Sequence, residues 1–195
     1  MSRQKTNLML NDAICRLADP ESLQGLFHEH EEGYPLPSSE NLEEIVQLAR
    51  AILFPGYFGK SQVNIHTIKY QIGVNVERMY HLLCEQVLAG LCFSHATDNS
   101  DRIGIANENL TIKAHDIARE LISRLPEIRR VLGTDVIAAY NGDPAANSHA
   151  EIIACYPVIK CLTNYRVAHE LYVMGVPLIP RLMTELAHSE TGIDI

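Results

Sequence analysis

The sequence predicts an all-α protein of about eight helices, and three observations support this class. Apolar residues recur every three or four positions along most of the chain, which is the period of one helix face. Proline and glycine fall mainly between these periodic segments, where helices begin and end. The alternation typical of strands and the sustained heptads typical of coiled coils are both absent from the sequence.

The chain is predicted to begin with a pair of short helices. Leu10, Ile14 and Leu17 have the spacing of one helix face. Asp19 followed by Pro20 is a second helix start, because aspartate caps free backbone N–H groups and proline fits the first turn.

Two longer helices are predicted next. Ser38-Ser39 precedes a strongly amphipathic segment, and serine is a preferred N-cap residue. This helix is expected to stop at residues 54–56, which read Phe-Pro-Gly. From about Val63 to Cys92 the apolar spacing mixes threes and fours, which predicts one long amphipathic helix.

The middle of the chain predicts a boundary between two helical subdomains. Residues 94–107 are polar and form the predicted linker. It separates an N-terminal extension, residues 1–93, from a second subdomain, residues 108–195. The second subdomain is expected to open with a helix over residues 109–124.

Four further helix starts are predicted in the second subdomain. Pro126 opens a helix that ends at Asn141-Gly142, and Asp143-Pro144 starts another. The last two helices are expected over roughly residues 157–174 and 177–189.

Composition excludes several classes of function. The 195 residues are 47% hydrophobic and 21% charged, which is sufficient for a sizeable core. Sixteen Lys and Arg against 24 Asp and Glu give a net charge of −8, which disfavours binding to nucleic acid or to an anionic membrane. The apolar runs are much shorter than the ~20 residues of a membrane span. We expect neither a nucleic-acid nor a membrane partner.

The cysteines indicate a reducing compartment. The chain has five, with no CxxC pair, and its N-terminus has no apolar signal core. We therefore expect reduced thiols in a cytoplasmic protein. The five are Cys15, Cys84, Cys92, Cys155 and Cys161.

A few polar residues stand at positions where chemistry or capping is possible. Asp143 precedes proline at a predicted helix start, where a purely structural cap is the simpler interpretation. Tyr165, Arg166 and His169 are spaced to share one sector of a helix. A structural role is the default for all three. Arg166 would then form an ion pair, and His169 would be a buried, hydrogen-bonded ring. The alternative is that His169 is a catalytic residue. Asp194, near the chain end, reads from composition alone as part of a frayed terminus.

Neither apparent metal motif has suitable ligand spacing. His169-Glu170 begins like the HExxH helix of zinc proteases, but the fifth position is Val173, which cannot ligate a metal. The tract His28–Glu32 is rich in histidine and glutamate, but ligands two residues apart point to different sides of a helix. We predict no metal site, and a metal or redox protein has little support.

Several motifs in a fixed order give the sequence a family resemblance. It resembles serine O-acetyltransferases of the bacterial long-form type strongly from about residue 118 to Ile195, and more weakly through Leu53–Tyr57. The resemblance identifies the chain as the N-terminal helical region, ending just before a left-handed β-helix domain. The motifs that carry it are Ala118–Leu121, Leu125–Arg129, Gly142–Ala146, Tyr165–His169 and Val176–Arg181.

The resemblance implies roles for the candidate residues. Asp143 would contact the substrate L-serine, and Asp194 would orient a histidine base that lies beyond the end of this chain. Tyr165, Arg166 and His169 would pack near the site as structural residues. Acetyl-CoA would be the co-substrate of the full-length enzyme, with no cofactor bound by this chain. The implied reaction is the acetylation of L-serine for cysteine biosynthesis, and the isolated chain is expected to be inactive.

A different class of function remains open for the isolated chain. It would act as a non-catalytic helical assembly module, because members of the resembled family are commonly oligomers joined through their N-terminal helices. The resemblance also implies a cysteine synthase partner, docked by a C-terminal tail that this chain does not include. Of these two expectations, only homo-oligomer formation applies to the isolated chain.

Overall fold

The structure is a computed structural model, and the described residues form an all-α protein. Among them there are eight helices and no strand, which confirms the predicted class. The chain divides into two compact units, Met1–Glu32 and Gly33–Ile195. The described residues are 3–24, 26, 35–59, 63–95 and 103–195.

The helices are distributed unequally between the two units. The first unit contains α1 (Arg3–Leu17) and α2 (Pro20–Leu23). The second contains α3 (Ser39–Leu53), α4 (Ile68–His95), α5 (Ile103–Gly142), α6 (His149–Cys155), α7 (Pro157–Val173) and α8 (Ile179–Thr191). In the first unit the Asp19 carboxylate accepts the Glu21 backbone N–H at 3.4 Å, which confirms the predicted helix start.

Helix α3 confirms both the predicted cap and the predicted apolar face. The Ser38 hydroxyl accepts the Asn41 backbone N–H at 3.3 Å and satisfies one of the free donors of the first turn. The apolar face is buried in the core of the second unit. Its buried members are Leu42, Ile45, Val46, Ala49, Ile52 and Leu53.

Helix α4 begins at Ile68 rather than at Val63. The Asn64 side-chain oxygen accepts the backbone N–H groups of His66 and Thr67 at 2.9 and 3.1 Å. Asparagine competes for local backbone donors in this way and favours turns over helix interiors. The predicted helix is therefore present, with its first turn shifted along the chain.

Helix α5 is continuous, so the prediction of two helices separated at Pro126 is wrong. Pro126 lies inside the 40-residue helix. A proline within a helix removes one backbone hydrogen bond and costs about 3 kcal/mol in isolation. Here an apolar stripe continues through the proline and is buried on both sides of it, so tertiary packing outweighs this cost. The stripe comprises Leu121, Leu125, Ile128 and Leu132.

A subdomain boundary at residues 94–107 stays a prediction. Helix α4 ends at His95 and α5 begins at Ile103, while residues 96–102 lie outside the described part of the chain. On either side of this segment, α4 and α5 pack along each other within the second unit.

The core of the second unit forms where α3, α4, α5, α7 and α8 meet. Helix α7 packs most extensively against α8, and α4 against α5, with α3 contacting both pairs. Every helix of the second unit contributes at least one fully buried large side chain. These are Leu42, Ile45, Leu53, Met79, Leu82, Leu83, Leu121, Leu132, Ile152, Ile159, Leu171 and Ile179.

The last helix begins two residues later than predicted and packs closely against α4. It starts at Ile179. A Cβ atom added at Gly90 of α4 would lie 2.7 Å from the Pro177 carbonyl oxygen and 2.9 Å from Ile179 Cγ1. The first of these contacts is with backbone, which a rotamer change cannot relieve. Gly90 therefore allows the close approach of the α7–α8 connection to α4.

We expect Gly90→Ala to lower the free energy of unfolding by about 1–3 kcal/mol, because overpacking outweighs the gain in helix propensity. Urea unfolding of the chain measures this change. The matched control is Gly133→Ala in α5, where an added Cβ meets no atom within 4 Å. That substitution should raise the free energy of unfolding by about 0.5–1 kcal/mol. Equal effects at the two glycines would contradict the close approach at Gly90.

A network of ion pairs and hydrogen bonds connects the end of α8 to α3 and α7. Arg50 of α3 is buried, and it donates to both carboxylate oxygens of Glu190 in α8, at 2.9 and 2.5 Å. It also donates to the Asn164 side-chain oxygen at 2.9 Å, and Lys160 donates to Glu190 at 3.0 Å. Burial alone would raise the pKa of the Glu190 carboxyl, but the hydrogen bonds from Arg50 and Lys160 outweigh it and lower that pKa. The network holds the last turn of α8, just before Asp194.

From the sequence we expected no membrane span, no disulfide and no metal site. None of the helices that the structure describes is long and apolar enough to cross a membrane. All five cysteines are free thiols. Over the described residues there is no group of three or more side chains that would hold a metal ion. The tract at residues 28–32 lies outside the described residues.

Candidate functional site

Asp143 lies in the turn between α5 and α6, where its carboxylate orders the backbone. One carboxylate oxygen, Oδ1, accepts the Ala145 backbone N–H at 2.9 Å, and the Ala146 N–H donates to the Asp143 carbonyl at 3.1 Å. The prediction that Asp143 caps a helix is wrong, because the N-cap of α6 is Ser148. Ser148 accepts the Glu151 N–H at 3.2 Å, and this serine–glutamate spacing is the capping signature that competes with Asp143.

The other carboxylate oxygen of Asp143 is held by the side chain of Tyr156, the residue between α6 and α7. The Tyr156 hydroxyl donates to Oδ2 at 2.5 Å. This hydrogen bond lowers the pKa of the Asp143 carboxyl most, and the bond from the Ala145 N–H lowers it further. In turn, the bond to Asp143 raises the pKa of Tyr156 to about 12. At neutral pH the pair is therefore a carboxylate and a neutral phenol.

Arg166 links α7 to α5 through a bidentate ion pair. Its Nε and one terminal nitrogen donate to the two Asp135 carboxylate oxygens at 2.8 and 2.7 Å. The two side chains are 26% and 19% exposed, so most of the pair is removed from solvent. The structure therefore places Arg166 in an ion pair, the structural role considered from the sequence.

His169 is exposed, so the expectation of a buried ring is wrong. It stacks between two tyrosines of the same helix, with ring centroids 5.7 Å from Tyr165 and 6.5 Å from Tyr172. The reason is its place on α7: the opposite face of the helix carries the buried residues Val167, Ala168 and Leu171. His169 is open to solvent and to ligands.

Two surface grooves meet at this aromatic stack. One, of about 440 Å³, lies between α5 and α7 and is lined by Tyr165, Arg166 and His169 together with Arg124 and Glu170. The other, of about 470 Å³, lies between α7 and α8 and also includes Tyr165 and His169. The structure thus brings together the three α7 residues, whereas Asp143 lines neither groove.

Asp194 follows α8 and is almost fully exposed. Its side chain is 99% exposed, and its Oδ1 lies 3.5 Å from His188 Nδ1. The next residue, Ile195, lines the groove that contains Tyr165 and His169. Asp194 therefore has a local partner that the sequence analysis did not identify, and its carboxylate remains accessible.

Tyr156 is the residue near the candidate site that sequence reasoning missed. It lies 13 residues from Asp143, and no local spacing rule connects two positions at that distance across a turn. Its place immediately before Pro157, at a helix start, is the one signal that fixes its backbone.

Fold and site together define an all-helical protein with an ordered, ionised carboxylate in an interhelical turn and aromatic grooves on α7. No family model matches the chain. It is 43% identical over 162 residues, 83% of its length, to the plasmid serine acetyltransferase of Synechococcus elongatus, of which it covers 50%. A serine acetyltransferase of Synechocystis is 45% identical over a shorter stretch of 56 residues, which is 29% of this chain and 22% of that relative.

Solved structures show the same likeness. Serine acetyltransferase 1 of Entamoeba histolytica in complex with L-cysteine has a TM-score of 0.61 and 30% identity, over 93% of this chain and 56% of that one. Isoform 3 of the same organism, in complex with cysteine, has a TM-score of 0.60 and 26% identity over 98% and 57%. The chain is therefore a homologue of serine acetyltransferases, and it spans about half the length of the relatives it matches.

Proposed function

We propose that the chain is the helical part of a serine O-acetyltransferase, which transfers an acetyl group from acetyl-CoA to the hydroxyl of L-serine. The 43% identity over most of the chain to an enzyme of that name supports the activity. Because the chain spans only half of that relative, the remaining half would supply acetyl-CoA binding and the rest of the site.

Asp143 is proposed to hold the amino group of L-serine. An ionised carboxylate with a fixed orientation is the group expected to bind an ammonium ion, and a charge-assisted hydrogen bond is stronger than a neutral one. Each Asp143 oxygen accepts one hydrogen bond within the chain, which leaves a further lone pair on each for a ligand. The Entamoeba relative is solved with L-cysteine, which has the same ammonium and carboxylate groups as L-serine.

Asp194 is proposed to orient a histidine base in the half of the enzyme that this chain does not span. The base would take the proton of the serine hydroxyl while the serine oxygen attacks the thioester carbonyl carbon. The carbon–sulfur bond then breaks, and the protonated histidine returns the proton to the CoA sulfur, so that CoA leaves as its thiol. The carboxylate would fix the imidazole tautomer and stabilise its protonated form. The exposure of Asp194 supports this role, because it leaves the carboxylate open to a partner.

The substrate role of Asp143 is tested in a chimera of residues 1–195 joined to the half of the Synechococcus elongatus relative that the match does not cover. We expect Asp143→Asn to raise the KM for L-serine about 10- to 100-fold, since a charged hydrogen-bond acceptor is lost. The KM for acetyl-CoA should not change. Initial rates of CoA release measure both constants.

Asp116→Asn is the matched control, because Asp116 is an exposed carboxylate of α5 that is 62% exposed and faces Arg119 at 3.4 Å. It should keep the KM for L-serine. Wild-type kinetics for Asp143→Asn would reject Asp143 as the serine-binding carboxylate.

A second candidate function is helical assembly. Described by itself, the first unit exposes apolar side chains of α1 at helical spacing, with Leu10, Ile14 and Leu17 exposed by 57%, 61% and 73%. This observation supports homo-oligomer formation through the N-terminal helices. Light scattering on the purified chain tests it, and a monomer at high concentration would reject it. Docking of a cysteine synthase is a further proposal that rests on the resemblance alone.

A cytoplasmic location is part of the same proposal. The five free thiols support it, since they form no disulfide. An amino-acid biosynthetic enzyme that uses acetyl-CoA would work in that compartment.

A further inference from the structure

Two hydrogen bonds hold the Asp143 carboxylate, one from a backbone N–H and one from a side-chain hydroxyl. The Ala145 backbone N–H holds Oδ1, and the Tyr156 hydroxyl holds Oδ2. The first bond comes from the turn that contains Asp143, so it forms wherever that turn forms. The second bond comes from Tyr156, at the junction of α6 and α7, and it fixes the rotation of the carboxylate relative to α7.

Tyr156 is itself rigidly placed. It is the C-cap residue of α6 and the N-cap residue of α7, and its backbone N–H donates to the Ile152 carbonyl at 3.1 Å. Its own carbonyl accepts the Ile159 N–H at 3.2 Å. Ile152 and Ile159 are both fully buried, and Pro157 restricts the backbone that follows Tyr156. Core packing on both sides therefore fixes the backbone of Tyr156, and its half-buried ring packs against the same core.

We propose that Tyr156 is a positioning residue for substrate binding, which holds the Asp143 carboxylate in one orientation so that its remaining lone pairs meet the ammonium group of an amino-acid substrate. This inference rests on the proposed function, because it takes Asp143 as the serine-binding carboxylate. Tyr156 acts through Asp143 and is assigned no contact with the substrate.

Removal of the Tyr156 hydroxyl is expected to weaken the binding of the amino-acid substrate alone. Without the hydroxyl, the Asp143 side chain samples other rotamers, and the substrate must select the competent one. Binding of L-serine is then weakened while the reaction of bound serine continues. A purely structural role for Tyr156 would instead lower stability, or change kcat and both KM values together.

The kinetic test compares Tyr156→Phe with Tyr140→Phe in the chimera defined above. We expect Tyr156→Phe to raise the KM for L-serine about fivefold, the effect of one hydrogen bond, with kcat and the KM for acetyl-CoA unchanged. Tyr140 is the matched control, because it lies three residues before Asp143, and its ring packs edge-on against His149 with a centroid distance of 4.7 Å. Removing its hydroxyl should change neither KM.

A second measurement is independent of catalysis. Carboxyl-carbon NMR of the 195-residue chain follows the titration of Asp143 in the wild type and in both variants. Because the Tyr156 hydroxyl lowers the pKa of the Asp143 carboxyl, that pKa should rise in Tyr156→Phe and stay unchanged in Tyr140→Phe. The other titratable groups that act on Tyr156 are Glu151 and the Cys155 thiol, and both variants retain them.

The outcomes separate this inference from the proposed function. If Asp143→Asn raises the KM for L-serine while Tyr156→Phe leaves it at the wild-type value, the positioning role is rejected and the proposed function stands. If Asp143→Asn has no effect on that KM, the serine-binding role of Asp143 is rejected and the positioning role of Tyr156 with it. The acetyltransferase function itself is rejected only if the chimera shows no serine-dependent release of CoA. An unchanged Asp143 pKa in Tyr156→Phe would also overturn the inference.

Discussion

Asp194→Asn in the chimera is expected to lower kcat by about 10²- to 10⁴-fold, with little change in the KM for L-serine. An amide in place of an orienting carboxylate favours the wrong imidazole tautomer and no longer stabilises the imidazolium that forms as the base takes the proton. Steady-state CoA release at saturating L-serine and acetyl-CoA measures the loss.

The structure indicates that this substitution can lower kcat without lowering the stability of the fold. The Asp194 side chain is 99% exposed, and its 3.5 Å contact with His188 is an exposed pair, which contributes little to stability. Thermal unfolding of the variant should therefore match that of the wild type. Asp116→Asn removes an exposed carboxylate elsewhere and should keep full activity. A wild-type kcat for Asp194→Asn would show that Asp194 does not orient the base.

Arg50→Ala is expected to give the largest loss of stability among the polar substitutions, about 2–3 kcal/mol in the free energy of unfolding. Removing one partner of a buried ion pair costs about 3–5 kcal/mol, and the value is reduced here because the Glu190 side chain is 37% exposed. The substitution also leaves the Asn164 oxygen without its donor in a fully buried position. Urea unfolding at neutral pH measures the change.

Arg78→Ala is the matched control for burial. Arg78 also pairs with a carboxylate through two hydrogen bonds, to Glu44 at 2.7 and 2.8 Å, but the side chains are 54% and 40% exposed. Its removal should leave the free energy of unfolding nearly unchanged, since exposed pairs contribute little. Equal losses for Arg50→Ala and Arg78→Ala would contradict the importance of burial.

The Arg50 effect should also depend on pH. The folded-state pKa of Glu190 is lowered, so the pair stabilises the fold above the unfolded-state pKa of about 4.3 and loses this contribution as the pH falls through the folded-state pKa. The difference between wild type and Arg50→Ala should therefore shrink in acid. Replacing both Arg50 and Glu190 by Met should recover part of the loss, because the Arg50 Nε–H has no hydrogen-bond partner among the described residues.

The sequence predicted elements that depend on local chemistry. The Ser38 cap and the buried face of α3 follow from neighbouring residues, and both are present. Pro126 was misjudged because the cost of a proline is local, whereas the buried stripe that offsets it comes from packing with other helices. Asp143 was misassigned because two capping signals compete within six residues, and the serine–glutamate pair at Ser148 forms the helix start.

Contacts between distant segments were beyond prediction from one sequence. Arg50 and Glu190 are 140 residues apart, and no periodicity or motif connects them. Tyr156 and Asp143 are closer in sequence, but their contact depends on the angle at which α7 leaves the turn. His169 was expected to be a buried, hydrogen-bonded ring as its structural role, whereas α7 places this residue on its solvent-exposed side.

Serine-dependent CoA release by the chimera tests the central claim most directly. The helical chain, joined to the remaining half of its cyanobacterial relative, should release CoA from acetyl-CoA when L-serine is added, at a rate comparable to that of the intact relative. A chimera that folds and binds acetyl-CoA, but releases CoA no faster with L-serine than without it, would contradict the claim that this chain is part of a serine acetyltransferase.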